Sequence, residues 1–332
     1  MKYWLVLLGL AFLVSCSRAP EQILLEGSTM GTTYHVRFVS ANPEHSASDI
    51  QATIDRVLER VNAQMSTYDP DSELSKFNQL RSSEPVVISR GLELVVARAL
   101  EIAEDTGGVL DVTVGPLVNM WGFGPDARPE HSPSEAEIAR IRAKTGYHHL
   151  AVENHQLIKQ EPELYVDLST IAKGYGVDRV AEVLEQLGIN NYLVEIGGEM
   201  RLKGRKPGNE PWRIAIEKPV SSDRAIQRVL EPGDNAVATS GDYRNFYIED
   251  GRRYSHVIDP RTGYPINHHL VSATVFAKDC MTADGYSTAL LVMGTEEALA
   301  FAEAHDIPAL LIAREGDEFK EYTSTAFKPY MQ

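Results

Sequence analysis

The chain has 332 residues, of which 43% are hydrophobic and 24% are charged, so we expect a packed globular core. The formal net charge of -15 leaves no basic field to replace the counterions of a nucleic acid, and we expect no nucleic-acid partner. A phosphorylated small molecule remains compatible with this charge if a local cation or a metal ion offsets it.

The N-terminus resembles a bacterial lipoprotein signal. An apolar run over residues 4–14 is too short to span a bilayer stably, and small residues then lead into Cys16. We expect residues 1–15 to be removed and Cys16 to carry lipid. Residues 16–27 would then tether a folded domain over residues 28–332. The alternative is an ordinary signal peptide in which the cysteine occurs by chance.

The first half of the chain predicts one strand followed by amphipathic helices. Residues 29–39 alternate between apolar and polar side chains, as a strand does. Apolar residues recur at helical spacing over 46–66, 91–108 and 134–146. Ser134 precedes the last of these segments and is placed to cap it.

The second half of the chain mixes strands and helices without strict alternation. We predict strands over 163–169, 190–200 and 307–313, and helices over 170–188 and 281–294. Strict βαβ order would favour a parallel sheet, and its absence favours a mixed α+β protein. We expect one compact unit of two lobes, with the active site in the cleft between them.

Residues 282–288 group oxygen ligands. If the helix begins near Thr282, Asp284 and Thr288 share one helical face, with Ser287 beside them. Carboxylate and hydroxyl oxygens suit Mg²⁺, which needs few protein ligands. The alternative is an ordinary first helical turn, in which Asp284 merely complements the helix dipole.

Residues 166–174 suggest an anion site. Asp167 falls at the end of the predicted strand, and Ser169 or Thr170 would cap the next helix, whose free N–H groups could accept a phosphate. Lys173 in the first turn opposes the helix dipole, so an anionic ligand would account for it. A solvated lysine is the alternative.

Two further segments could line a ligand site. The glycines of residues 107–125 would let the backbone approach a ligand closely, and Asp111 adds a polar group. Tyr68 lies on a loop where it could stack on a flat ring, although this signal alone is weak.

His256 lies at the end of a predicted strand, with Asp259 three residues on. A neighbouring carboxylate could orient the imidazole and raise its basicity, which would make His256 a general base. A structural histidine is the alternative.

Eight segments, in this order, together resemble the ApbE family of flavin transferases (FAD:protein FMN transferases). They are Met30-Gly31-Thr32, MSTYDPDSELSKFN, DVTVGPLVNMWGFG, VDLSTIAKGYGVD, EIGGE, ATSGDYRNF, SHVIDPRTG and ADGYSTAL. They extend from residue 30 to about residue 294, which is nearly the whole of the expected mature chain.

The resemblance implies a reaction and its partners. FAD would be cleaved at its pyrophosphate, FMN would be joined through a phosphoester to a threonine of an acceptor protein, and AMP would leave. Mg²⁺ is the implied metal. The implied acceptors are subunits of Na⁺-translocating NADH:quinone reductase or Rnf-type complexes. We therefore expect the enzyme to be lipid-anchored at the periplasmic side of the inner membrane, with the outer membrane as the alternative.

The resemblance also assigns roles to residues. His256 would take the proton from the acceptor threonine, and we infer in addition that Asp259 holds its ring. Asp284 and Thr288 would bind Mg²⁺, helped by Thr170 or the Ala172 carbonyl and by Ser287. The residues that would line the FAD site are Met30, Tyr68, Gly108, Val109, Leu110, Asp111, Asp167, Lys173 and Ile258.

Two other functions remain compatible with these residues. The same metal site could pass FMN to water, as a Mg²⁺-dependent FAD pyrophosphatase that yields FMN and AMP. A lipid-anchored protein that binds flavin without chemistry is the second alternative.

Overall fold

The computed structural model describes residues 21–40, 45–124, 131–220, 225–243 and 245–331. The expected signal peptide and the lipidation site at Cys16 lie outside these residues. Among the helices that the structure describes, none combines the length and the apolar character needed to cross a bilayer.

Helices and strands interleave along the described chain. The α-helices are α1 (Ala47–Met65), α2 (Glu73–Gln79), α3 (Arg90–Asp105), α4 (Gly115–Met120), α5 (Glu135–Arg142), α6 (Ala172–Gln186), α7 (Cys280–Met293) and α8 (Thr295–Ala304). The strands are β1 (Glu21–Thr29), β2 (Thr32–Ser40), β3 (Val86–Val87), β4 (Leu150–Glu153), β5 (Gln156–Lys159), β6 (Tyr192–Ile196), β7 (Glu199–Lys203), β8 (Ile214–Glu217), β9 (Ile226–Leu230), β10 (Ala236–Gly241), β11 (Phe246–Glu249), β12 (Arg252–Ser255), β13 (Ile258–Asp259), β14 (Tyr264–Pro265), β15 (Leu270–Ala277), β16 (Ala309–Glu315) and β17 (Glu318–Thr323).

An eight-stranded sheet in the order β1-β2-β6-β7-β10-β15-β16-β17 forms the centre of the fold. Every neighbouring pair in it is antiparallel. An antiparallel sheet built from distant segments, with helices packed on it, is an α+β fold rather than an alternating α/β fold. This confirms the expected fold class.

The two faces of this sheet carry separate cores. Along β10, Ala236 and Ala238 belong to the clusters formed with the long helices, whereas Val237 between them packs on the opposite face. Helices α1, α3, α6 and α7 cover the first face. On the second face, Trp212 and the β8–β9 hairpin close the core around Val237 and Phe276.

Most of the predicted helices are present. The segments 46–66, 91–108 and 134–146 form α1, α3 and α5. Ser134 caps α5 through a capping box, in which its hydroxyl accepts from the Glu137 N–H and the Glu137 carboxylate accepts from the Ser134 N–H.

The strand predicted over 163–169 is wrong. Val166 is fully buried, which explains the apolar alternation, but this segment pairs with no described strand. The Val166 N–H donates instead to Asn78 Oδ1, and the Asp167 N–H donates to the Val112 carbonyl. Single side-chain and loop bonds therefore hold the segment in place of a sheet ladder.

Two helix starts also differ from the prediction. The N-cap of α6 is Ile171, without a side-chain hydrogen bond, so neither Ser169 nor Thr170 caps this helix. Helix α7 starts at Cys280, where the Asp279 side chain accepts from the Thr282 N–H. Asp284 consequently lies beyond the first turn of α7, and the interpretation of Asp284 as a helix-dipole partner is wrong.

The strand predicted over 29–39 corresponds to β2, and a strand that was not predicted, β1, precedes it. β1 pairs with β2 in register from Glu21 to Thr29, and Leu25 is buried between this hairpin and α1. Residues 21–27, expected to be tether, therefore belong to the folded unit. Any tether is shorter than the predicted 16–27.

A notch interrupts the sheet between β2 and β10. The β6–β7 hairpin that separates these strands ends in a turn at Gly197 and Gly198, whose φ angles of 60° and 107° favour glycine. β10 pairs with β7 only at Ala236 and Val237 and then continues to Gly241. The remainder of β10 borders open space, and this notch positions the candidate site.

Candidate active site

A cleft of about 930 Å³ opens at the notch. It collects most of the side chains that the sequence singled out, although they come from distant segments. The predicted residues that line it are Tyr68, Val109, Leu110, Asp111, Asp167, Thr170, Lys173, His256, Ile258, Asp284 and Thr288.

Five predicted site residues lie outside the lining of this cleft. They are Met30, Gly108, Ala172, Asp259 and Ser287. Met30 packs against Gly176 of α6. Ser287 is fully buried, and its hydroxyl donates to the Asp284 carbonyl.

The predicted metal ligands at the cleft are oxygen atoms with incomplete hydrogen bonding. Asp284 is 3% exposed, and its Oδ2 accepts from the Gly174 N–H at 2.9 Å. The Thr170 Oγ1 is buried without a hydrogen-bond partner among the described residues. Because a buried hydroxyl ordinarily has a partner, this orphaned oxygen fits the role of a cation ligand.

No group of three or more His, Cys, Asp and Glu side chains in the described part of the chain is placed to hold a metal. A cation here would instead rest on the single carboxylate of Asp284 with the hydroxyls of Thr170 and Thr288. Mg²⁺ accepts such a set because it keeps water and substrate phosphate as its other ligands. The residues present therefore fit Mg²⁺.

The half-buried Lys173 and the buried Glu199 form an ion pair beside Asp284. The Lys173 Nζ lies 2.6 Å from Glu199 Oε1, and the Glu199 side chain is 4% exposed. Burial alone would lower the pKa of Lys173, but the Glu199 and Asp284 carboxylates outweigh it and raise the pKa. Lys173 is therefore fully charged, and it lines the cleft.

The two carboxylates of this cluster resist ionisation. Burial raises the pKa of Asp284 to about 7, with the Lys173 charge opposing the rise and Glu199 adding to it. Burial likewise raises the pKa of Glu199, against the charge of Lys173. When both are ionised, two carboxylates face one ammonium, which leaves a buried negative charge for a cation to neutralise.

His256 presents one defined nitrogen for proton transfer. Its Nδ1 lies 3.0 Å from the Asn245 carbonyl oxygen. A carbonyl can only accept, so Nδ1 is the donor and the neutral ring carries its lone pair on Nε2. Burial lowers the pKa of His256, and the charges of Arg253 and Lys173 lower it further. The ring is thus neutral, as a general base must be.

The expectation that Asp259 holds the His256 ring is wrong. The Asp259 carboxylate accepts from the backbone N–H and the guanidinium of Arg261, at 2.8 to 3.2 Å. Arg261 also donates to Glu297 of α8. Asp259 therefore ties its own loop to a neighbouring helix, and the Asn245 carbonyl orients the imidazole.

Two carboxylates that line the cleft mainly hold its loops in place through hydrogen bonds to the backbone. Asp111 accepts from the Thr113 N–H and hydroxyl through Oδ1 and from the Tyr147 N–H through Oδ2. Burial raises the pKa of Asp111, and these bonds oppose the rise. Asp167 accepts from the Ser169 N–H. Both shape the backbone of the cleft.

Two residues that line the cleft were not predicted from the sequence. Ser240 lines the cleft, and its Oγ lies 2.8 Å from Ser287 Oγ and 3.1 Å from Thr288 Oγ1. Glu199 follows Gly197 and Gly198 within the segment 190–200, which we predicted as a strand without a role in the site. An acidic residue at the start of a central strand was the available signal.

The fold and the cleft define the class of this protein. It is an α+β enzyme whose site is suited to the transfer of a phosphorus-containing group, because a charged lysine, a metal-compatible oxygen set and a neutral imidazole share one cleft.

Comparison with known proteins gives the family. Residues 30–311 match the ApbE family. The chain is 55% identical over 332 residues to a FAD:protein FMN transferase of Vibrio cholerae, which covers 100% of this chain and 99% of the relative. It is 42% identical over 338 residues to the FAD:protein FMN transferase of Salmonella typhimurium, with 98% of this chain and 96% of the relative covered.

Solved structures agree with this assignment. The flavin transferase ApbE from Vibrio cholerae superposes with a TM-score of 0.87 at 56% identity, over 94% of this chain and 99% of that chain. The apo form of the Pseudomonas stutzeri flavinyl transferase ApbE gives a TM-score of 0.87 at 40% identity, over 94% and 97% of the two chains. The chain belongs to the ApbE family, which confirms the resemblance seen in its motifs.

Proposed function

We propose that this protein is a FAD:protein FMN transferase that depends on Mg²⁺ and attaches FMN to a threonine hydroxyl of an acceptor protein. The observation that carries the proposal is the cleft itself. The Lys173–Glu199–Asp284 cluster and the His256 imidazole all line it. The relatives at 55% and 42% identity are both named FAD:protein FMN transferase.

The reaction exchanges the phosphoanhydride linkage of FAD for a phosphoester linkage to the acceptor. The acceptor oxygen attacks the phosphorus of the FMN half of FAD, a new P–O bond forms, and the P–O bond to AMP breaks. The hydroxyl proton passes to His256 Nε2, because Nδ1 is already committed to the Asn245 carbonyl. A base of this kind contributes about 10²- to 10⁴-fold to the rate.

Lys173 supplies positive charge where the diphosphate would lie. Its ammonium is held by Glu199, so it does not need to reorganise when charge develops on the leaving AMP. Mg²⁺ bound by Asp284, Thr288 and Thr170 would neutralise further charge on the phosphate oxygens. The Ala172 carbonyl and Ser287 remain proposed helpers, although both lie outside the cleft lining.

The flavin and the nucleotide would occupy the rest of the cleft. Tyr68 is 73% exposed at its rim and is available for stacking on a ring. Val109, Leu110 and Ile258 give the cleft an apolar wall. Met30 and Gly108 would act by shaping the backbone near this wall.

The cellular setting is part of the proposal. We infer that Cys16 is lipidated and holds the domain at the periplasmic side of the inner membrane. Acceptors there would be subunits of Na⁺-translocating NADH:quinone reductase or Rnf-type complexes. Metabolic labelling with a palmitate analogue, compared between wild type and Cys16→Ala, tests the anchor; equal labelling of the two would contradict it.

The rival chemistry is hydrolysis, since water and a threonine hydroxyl can attack the same phosphorus. Purified protein is incubated with FAD and Mg²⁺, with and without an acceptor domain, and products are separated by chromatography and by in-gel flavin fluorescence. The proposal expects fluorescent acceptor and slow FMN release without acceptor. Rapid release of free FMN with no labelled acceptor would favour a pyrophosphatase. Binding of FAD with neither product would favour a carrier.

A further inference from the structure

The notch exposes an unpaired strand edge inside the cleft. In β10, the Asp242 N–H beyond the strand end donates to the Val271 carbonyl, so even-numbered residues of this strand bond to β15. The Asn235 carbonyl accepts from the Leu202 N–H, so odd-numbered residues face β7. Thr239 and Gly241 therefore direct their N–H and C=O groups into the notch.

No described strand pairs with that part of β10. β7 pairs with β10 at Ala236 and Val237 alone, because the chain turns away at Gly197 and Gly198. The residues that carry the unpaired groups, Thr239 and Gly241, are half-buried and line the cleft. Half-buried backbone groups of this kind need hydrogen-bond partners, which water or a bound chain can supply.

The width of the notch accommodates a polypeptide. β2 and β10 are separated by two strands at the base of the notch, hence by about 14 Å. Beyond the Gly197–Gly198 turn, a gap of this width accommodates one added strand beside β10 and another ligand beside β2. Thr239 and Gly241 present their groups about 7 Å apart, which is the two-residue repeat of an extended chain.

We propose that the acceptor protein enters the cleft as an extended segment that adds to the free edge of β10 at Thr239 and Gly241. The inference deepens the proposed function, because it rests on the acceptor being a polypeptide. Strand addition gives affinity through main-chain bonds and leaves the partner's side chains free for selection. It also provides hydrogen-bond partners for the backbone groups of the acceptor segment, which lose their water when the segment enters the cleft.

The same geometry places the reacting hydroxyl. The Ser240 side chain points to the α7 face, since its Oγ lies within 3.1 Å of Thr288 Oγ1. Side chains of paired strands that lie opposite each other share a face. An acceptor threonine opposite Ser240 is therefore delivered to the face that carries Asp284 and Thr288.

The test removes one N–H from this edge. Thr239→Pro deletes the N–H that faces the notch, and Thr239→Val is the matched control, because it also loses the hydroxyl contact to Thr274 but keeps the N–H. The probe is the unflavinylated periplasmic domain of a Na⁺-translocating NADH:quinone reductase subunit. We expect the proline variant to raise the KM for this domain about tenfold relative to the valine variant, with FAD affinity the same in the two variants.

A weaker FAD affinity with an unchanged acceptor KM would overturn the inference and assign the edge to the dinucleotide. Unchanged values for both would also overturn it.

A second measurement does not depend on the proline variant folding or on turnover. Amide hydrogen exchange is followed by NMR in the wild-type protein with FAD and Mg²⁺, before and after addition of the acceptor domain with its threonine changed to alanine. We expect the amides of Thr239 and Gly241 to exchange at least about tenfold more slowly with acceptor, whereas that of Ser240, already bonded to β15, changes little. Unchanged exchange at both edge amides would refute strand addition even if flavin transfer is demonstrated. Absence of transfer by wild type would instead refute the proposed function.

Discussion

The Lys173 ammonium lies 2.6 Å from Oε1 of the buried Glu199, while Oε2 of the same carboxylate has no hydrogen-bond partner among the described residues. A buried carboxylate with a free oxygen is costly unless it is required where it stands. We interpret Glu199 as the residue that fixes Lys173 at the diphosphate site.

Glu199→Gln tests this interpretation. The amide keeps the size of the side chain but removes the charge that holds Lys173, so we expect kcat for FMN transfer to fall about 10- to 100-fold with little change in the KM for FAD. Glu199→Asp keeps the charge and should retain more activity than the amide. Steady-state kinetics measure both; a wild-type kcat in Glu199→Gln would show that Lys173 needs no partner.

At saturating Mg²⁺, which would keep the Asp284 carboxylate ionised, the pH dependence of transfer should follow His256. Burial lowers the pKa of His256 below its ordinary value of 6.5. The ring is therefore mostly neutral at pH 6.5 and is protonated only at lower pH. A protonated ring accepts no proton, and the rate should therefore fall as pH drops through this lowered pKa. His256→Ala should lose this dependence and about 10²- to 10⁴-fold in kcat, while FAD binding persists.

Asp259→Asn is the control for that experiment. Because the Asp259 carboxylate binds Arg261 and not the imidazole, the pH profile of the variant should match wild type. A profile displaced to lower pH would show that Asp259 does act on His256 in the working enzyme.

Asp284→Asn should abolish metal-dependent transfer. The amide is a weaker ligand for a hard cation, and we expect a loss of about 10²-fold or more, because metal ions contribute several kcal/mol to such reactions. Binding of Mn²⁺, followed by electron paramagnetic resonance, gives a readout independent of turnover and should be lost as well. Asp259→Asn is the control here as well, since the Asp259 carboxylate binds Arg261 and lies outside the cleft lining. Tight Mn²⁺ binding by Asp284→Asn would place the metal elsewhere.

Asp178 should be a stability residue without a part in the chemistry. Its carboxylate accepts from the N–H groups of Cys280 and Met281 and from Arg201, each at 2.9 Å, and so joins α6 to the start of α7. Asp178→Ala should lower the free energy of unfolding by about 3 kcal/mol. Urea denaturation measures this.

Asp279→Ala removes the N-cap of α7 and should lower the unfolding free energy by about 1 kcal/mol. This variant is the reference with which the loss in Asp178→Ala is compared. Equal losses in the two variants would show that the Asp178 contacts add nothing beyond a cap.

The sequence predicted the chemical groups of the site better than its shape. Lys173 stood out because it opposes the helix dipole, and Asp284 because it shares a helical face with Thr288; both line the cleft. The notch could not be predicted, because it depends on the register that sets Val237 opposite Met200. Register is fixed by tertiary pairing between distant segments, which local periodicity does not encode.

Local sequence patterns predicted the wrong hydrogen-bond partner in two cases. Asp259 lies three residues from His256, but Arg261 is a stronger partner for a carboxylate and is closer in the chain. The buried alternation around Val166 predicted a strand, yet its N–H is satisfied by Asn78, a residue from a distant helix. In both cases the pattern identified burial or charge correctly, and the tertiary fold selected the partner.

Intact mass spectrometry of an acceptor domain tests the central claim most directly. The domain is incubated with FAD and Mg²⁺ and with wild-type protein, His256→Ala or Asp284→Asn. The account predicts that wild type adds the mass of FMN less one water to a single threonine, and that both variants, although folded, add almost none. An unmodified acceptor with wild type, or full modification by either variant, would contradict it.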